Sequence, residues 1–127
     1  MRIALSTDHA GYERLKILRQ YLVSLGHSCE YFGPTQFDPD DDYPDFIKPA
    51  SQAVASGDCE RGIIMGGSGQ GEAMVANRLP GVRCAVYYAP AQAEDSRDII
   101  TLSREHNDAN MLSIGARFVT DEQVIKV

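Results

Sequence analysis

With 127 residues, 43% of them hydrophobic and 24% charged, the chain has the size of one domain built on one buried core. That size excludes separate cofactor and substrate domains, and the formal net charge of -6 argues against sequence-independent nucleic-acid binding, because phosphates would be repelled. Cys29, Cys59 and Cys84 are odd in number and lack a C-x-x-C spacing, which points to reduced thiols rather than a disulfide framework or a zinc site.

The N-terminus enters directly into Arg2-Ile3-Ala4-Leu5-Ser6, the first strand-like run, with no long apolar core of a signal peptide. No later segment is apolar enough to span a bilayer, so a cytoplasmic protein is expected. Leu15, Leu18, Leu22 and Leu25 then recur at helical spacing among Glu13, Arg14, Lys16 and Arg19, and Gly26 supplies a stop. His27 reads as a surface turn residue, and Cys29 to Phe32 as the second strand. The acidic cluster Asp38, Asp40, Asp41, Asp42 and Asp45 lacks the central glycine and closing glutamate of a calcium loop and reads as a solvated connection.

A second helix is expected from Pro44-Asp45 to Gly57, a third strand over Gly62 to Met65, and a third helix from Glu72. Cys84 to Tyr88 reads as a strand, part of Pro90 to Ser103 as a fourth helix, and Met111 to Ile114 as a fifth strand. No internal repeat or linker interrupts the chain. Alternating strands and helices predict an α/β domain with a five-stranded parallel sheet.

Gly66-Gly67-Ser68-Gly69-Gln70-Gly71-Glu72 joins the third strand to the third helix, and its glycines let main-chain N–H groups approach a ligand closely. It matches neither the G-x-G-x-x-G dinucleotide fingerprint nor a Walker loop, so its anionic guest stays open between a nucleotide and a smaller phosphate. Ser6-Thr7-Asp8-His9-Ala10-Gly11 follows the first strand and therefore lies at the same carboxyl edge, where ligands bind in open α/β sheets. Arg104-Glu105-His106-Asn107-Asp108-Ala109-Asn110 precedes the last strand and begins at the opposite edge. Either it folds back across the sheet edge, or it reaches the glycine loop of a second subunit related by a two-fold axis.

These motifs, together with Asp42-Tyr43-Pro44-Asp45, Ala76-Asn77 and Gly115-Ala116-Arg117, occur in order along the chain and resemble the ribose-5-phosphate isomerase B family, which includes galactose-6-phosphate and allose-6-phosphate isomerases. The resemblance spans residues 1–127 and implies a single Rossmann-like three-layer α/β/α domain. It implies an aldose–ketose isomerase acting through a cis-enediolate, without metal or organic cofactor, on ribose 5-phosphate and ribulose 5-phosphate. Six-carbon phosphosugars are the nearest alternative, then a catalytically weak phosphosugar-binding module, and more distantly an FMN carrier.

The implied assembly is a homodimer with shared sites, or a tetramer. Glu72 takes the place of the base; one branch of the family uses a cysteine at the position of Gly66, and neither Cys59 nor Cys84 aligns with that role. A helix N-terminus lowers the pKa of a glutamate while desolvation raises it, so the environment of Glu72 decides its fitness as a base. Ser68 with the N–H groups of Gly67, Gly69 and Gly71 would face the oxyanion, and Asp8 and His106 would serve ring opening. Asn107 would bind sugar oxygens, His9 and Arg117 the phosphate, and Tyr43 would line the pocket or simply pack; Arg117 and His106 are expected from the second subunit. The family's basic tail beyond the equivalent of Val127 is absent from the sequence, and Tyr87 to Ser103 is longer than the family pattern. A chain ending there would hold phosphate weakly, or compensate with a different phosphate contact.

Overall fold

In the computed structural model, which describes residues 1–40, 42–88 and 99–126, five strands form one parallel sheet. They are β1 (Arg2–Thr7), β2 (Ser28–Tyr31), β3 (Arg61–Gly66), β4 (Cys84–Tyr87) and β5 (Met111–Gly115), ordered β2-β1-β3-β5-β4. β1, β3 and β5 are the apolar runs because they lie inside the sheet and are covered on both faces. Edge strands β2 and β4 are only half-buried.

Side chains alternate across the sheet, giving two cores. Ala4, Ile64 and Met111 meet Ile47, Ala50 and Val54 of α2 (Pro44–Ser56) and Ala76 of α3 (Gln70–Asn77). Ile3, Leu5, Met65 and Ile114 meet Leu15 and Leu18 of α1 (Tyr12–Ser24) and Val124 of α5 (Asp121–Lys126), with Ile100 of α4 (Ile99–Asn107) at the margin. The layers are therefore helix, sheet, helix, as expected. Among the described residues no helix is long and apolar enough to cross a membrane.

Several details differ from the sequence reading. Leu25 caps α1 instead of extending its apolar stripe, and is 56% exposed. α3 begins at Gln70, before Glu72. α4 runs on to Asn107, so Arg104 to Asn107 form its last turns; the start of the predicted fourth helix lies in residues 89–98, outside the described residues, as does much of the long Tyr87 to Ser103 segment. α5 was not foreseen, although Thr120 and Gln123 form a reciprocal cap: the Thr120 N–H donates to Gln123 Oε1 at 2.9 Å and the Gln123 N–H to Thr120 Oγ1 at 3.2 Å. Gly57 closes α2 at φ 86, and the described part of the acidic cluster is exposed except at half-buried Tyr43 and Pro44 beside Asp42 and Asp45. Arg14 ties α1 to distant parts of the chain, because its guanidinium donates to the carbonyls of Ala116 and Val119 and pairs with Asp121 at 2.8 Å.

Asn77 acts as a surrogate strand for β4. Its Nδ2 donates to the Cys84 carbonyl at 3.0 Å and its Oδ1 accepts from the Cys84 N–H at 2.8 Å. Asn77→Ala is expected to lower the unfolding free energy by about 1–2 kcal/mol in urea denaturation, the net value of two such bonds. An unchanged midpoint would show that β4 needs no such partner.

Candidate active site

The parallel register brings the carboxyl ends of β1, β3 and β5 level, with Thr7 opposite Met65 and Gly66 opposite Gly115. Chain direction diverges between β1 and β3, since β1 leads to β2 on one side and β3 leads toward β4 on the other. Such a divergence leaves a crevice at the carboxyl edge. Asp8, Gly67 and Ala116 emerge there.

Gly66 ends β3, and a Cβ on it would overlap the Glu72 carboxylate. The missing side chain is what lets Glu72, only 5% exposed, fold back over the strand end. Burial pushes the Glu72 carboxyl above the ordinary glutamic range; its own backbone N–H opposes this, and the charge of Asp8 adds to it. Desolvation thus outweighs the backbone N–H at the helix terminus, and the net shift is upward.

Gly69 adopts φ 77, the left-handed conformation, and caps α3; its carbonyl accepts from the Ala73 N–H at 3.1 Å. Ser68 is exposed at the lip, with its Oγ accepting from the Gln70 N–H at 3.3 Å. Gly71 lies in the first turn of α3, where the Tyr43 hydroxyl would sit 2.7 Å from a Cβ on it. Half-buried Tyr43 packs against the α2 core with its hydroxyl beside Gly71.

Asp8 is 7% exposed and caps the turn His9–Gly11 by accepting from the Ala10 N–H at 2.8 Å. His9 stands edge-on to Phe37 with ring centroids 6.2 Å apart. Ser6 anchors this strand end to α2 by donating to the Phe46 carbonyl at 2.6 Å. The Arg117 side chain, expected from a second subunit, stands beside the glycine loop of its own chain. It lies over its own chain's loop, with Nη1 3.0 Å from where a Gly67 Cβ would be, while its N–H donates to the Gly67 carbonyl at 3.1 Å. Its neighbourhood is fixed by Arg14, which holds the Ala116–Phe118 turn through the Ala116 carbonyl.

His106 and Asn107 are not brought to this edge. They end α4 as exposed residues beside the start of β5, at the opposite edge of the same chain. The turn after them is heavily tied: Asp108, at φ 48, pairs with Arg104 at 3.0 Å and Arg83 at 3.2 Å. Asn110 bonds the Arg83 N–H and the Gly81 carbonyl, each at 2.8 Å. The surrounding motif residues thus build a rigid mount, and His106 and Asn107 are what it displays.

Sequence reasoning missed Ser113, a fully buried serine whose Oγ donates to the Gly69 carbonyl at 2.7 Å. A polar residue within the apolar run Met111-Leu112-Ser113-Ile114 was its available signal. It also missed Tyr88, whose hydroxyl accepts from Gln70 Nε2 and whose ring meets Phe118 at 5.3 Å. The thiols are poor bases here: burial pushes Cys84 up to about 12, and burial with the neighbouring Glu30 raises Cys59.

Residues 3–127 match the family model described as Ribose/Galactose Isomerase. The ribose-5-phosphate isomerase B of Mycobacterium tuberculosis is 37% identical over 127 residues, covering all of this chain and 74% of that protein. The structure of the Clostridium thermocellum ribose-5-phosphate isomerase B superposes with a TM-score of 0.86 at 36% identity, over 99% of this chain and 80% of that one. The Mycoplasma genitalium enzyme, solved with bound ribulose-5-phosphate, gives a TM-score of 0.87 at 34% identity, over 98% of this chain and 78% of its own. With its parallel sheet, its glycine loop and its buried glutamate in place, the chain belongs to the ribose/galactose isomerase family.

Proposed function

We propose that the protein interconverts ribose 5-phosphate and ribulose 5-phosphate, with Glu72 as the base. The observation that carries this is the Glu72 carboxylate, desolvated in the space left by Gly66 and raised in pKa at the carboxyl edge of the sheet. The ligand of the Mycoplasma genitalium relative supports the five-carbon choice.

In the forward direction Glu72 takes the proton from C2 of the open-chain aldose. The C2–H electron pair forms the C1–C2 double bond and the carbonyl pair moves onto O1, giving a cis-enediolate. The same carboxyl returns the proton to C1 while the O2 proton passes to O1, so that O2 becomes the ketose carbonyl and O1 the C1 hydroxyl. Donors around Ser68 and the start of α3 face the charge on the enediolate oxygens, and Asp8 serves ring opening and the hydroxyl protons. His9 and Arg117 take the phosphate, where a guanidinium fork suits the geometry. These groups carry the reaction with no metal or organic cofactor.

His106 and Asn107 lie at the wrong edge for their own chain's loop, so a homodimer in which each copy lends them to the other completes the site. Free Cys29, Cys59 and Cys84 suit the cytoplasm as its location.

Glu72→Gln is expected to lower kcat roughly 10²–10⁴-fold and to abolish incorporation of solvent deuterium into the ketose. Retained turnover would remove Glu72 as the base, while wild-type activity confined to six-carbon aldose phosphates would keep the mechanism and reject the sugar. The same variant tests the desolvation. Because the folded-state pKa of Glu72 is raised, its contribution to stability is complete below the ordinary value of 4.5 and is lost as pH rises through the raised value. Glu72→Gln should therefore melt at a higher temperature than wild type at about pH 7, with the difference closing toward about pH 4. Equal melting temperatures at both would show a carboxylate that is not desolvated.

Sharing of the site has its own test. Inactive Glu72→Gln and inactive His106→Ala proteins, mixed under subunit exchange, should recover about a quarter of wild-type activity, since about half the dimers are mixed and each holds one intact site. No recovery despite proven exchange would place both residues in one chain's site.

A further inference from the structure

We propose that Ser113 is a positioning residue of the site: its buried hydroxyl fixes the Gly69–Gln70 peptide, and through it the Ser68 hydroxyl and the helical turn that carries Glu72. Ser113 belongs to β5 and is completely buried, so its hydroxyl must find a partner inside the protein. It donates to the Gly69 carbonyl at 2.7 Å. That carbonyl already accepts the first hydrogen bond of α3, from the Ala73 N–H. Ser113 therefore adds a second donor to the one peptide that starts the helix.

Approach this close needs a glycine. A Cβ at residue 69 would come within 3.0 Å of Ser113 Oγ and 3.1 Å of the Gly115 nitrogen, and φ 77 disfavours any other residue as well. Two residues earlier, the Gly67 carbonyl accepts from the Arg117 N–H at 3.1 Å. The chain segment from Ser113 to Arg117 thus holds two alternate carbonyls of the glycine loop. Carbonyl and N–H point in opposite directions across a trans peptide, so these anchors turn the N–H groups of Ser68 and Gln70 away from β5. The Gln70 N–H then meets Ser68 Oγ at 3.3 Å.

A relay results: the Ser113 hydroxyl to the Gly69 carbonyl, across that peptide to the Gln70 N–H, and on to the Ser68 hydroxyl. Each member polarises the next, which strengthens the chain and fixes the direction of its final oxygen. Glu72 follows two residues after Gln70 and inherits the same helix start. The catalytic consequence rests on the isomerase reading above; the mechanical one does not.

The test compares wild type with Ser113→Ala and Ser113→Cys. Cysteine nearly matches serine in shape but is a weak donor, so it keeps the core filled while losing the bond, and it stands in should the alanine variant not fold. Amide hydrogen exchange at Gln70 to Ala73 should rise about tenfold or more in both variants while Ile64 in β3 stays protected. On ribose 5-phosphate, kcat should fall by roughly one to two orders of magnitude with KM within about threefold, the pattern of a misdirected catalytic group. Unchanged exchange in the loop overturns the proposal, as does a cysteine variant with wild-type kcat, which would reduce Ser113 to packing. Loosened amides with unchanged kcat overturn its bearing on catalysis. If wild type turns over no aldose phosphate, the isomerase reading fails, and the exchange measurement alone decides whether Ser113 holds the loop.

Discussion

Glu72 occupies a space that exists because Gly66 has no side chain. The carboxylate folds back from the first turn of α3 onto the end of β3, and a Cβ at residue 66 would stand where its oxygens are. Everything else at the carboxyl edge adjusts to that placement. The strand must end in a glycine, the loop must turn sharply enough to return a helix beside it, and Gly69 makes the turn in the left-handed conformation. Burial of the carboxylate follows from the same geometry and raises its pKa. Covalent geometry and protonation are thus set by one steric fact, and it also explains why a cysteine at residue 66 and a glutamate at residue 72 would compete for one volume.

The parallel sheet then divides the labour between its two edges. Among the described residues, strand-to-helix connections leave at the carboxyl edge, which collects Asp8, His9, Gly67, Ser68 and Arg117. All helix-to-strand turns return at the other, which is where His106 and Asn107 stand on the mount formed by Arg83, Arg104, Asp108 and Asn110. A single chain of this topology cannot merge the two sets. The two-fold pair proposed above would, by setting the amino edge of one copy against the carboxyl edge of the other.

Much of this was legible in the sequence. Strand runs, the glycine loop and the Ser6 to Gly11 motif are local signals, and hydrophobic period with turn chemistry placed them correctly. What was not legible depends on strand order. β5 lies between β3 and β4, and nothing in Met111 to Gly115 says so; only that order puts Ser113 beneath Gly69 and Arg117 over Gly67 in the same chain. The anchoring role of Arg14 was not legible because its partners lie at Ala116, Val119 and Asp121, about a hundred residues away. The capping pair Thr120 and Gln123 is a different case, a local signal overlooked because the helix it opens is short and carries little apolar period.

A buried carboxylate with a raised pKa costs stability at neutral pH, and that cost indicates why the loop is anchored so densely. Left to relax, the segment Gly67 to Glu72 would regain solvent for the charge by swinging outward, since its glycines offer little resistance. Ser113 and the Arg117 N–H close that route by holding two of its carbonyls against β5 and the turn after it. Tyr43 closes it from the α2 side, and Gln70 bonding to Tyr88 closes it at the lip. The glycines admit the left-handed turn, while its anchoring comes from neighbours on other elements. A loop flexible in sequence and fixed in structure is what a preorganised oxyanion site requires, because its donors must already point at the charge when the charge appears.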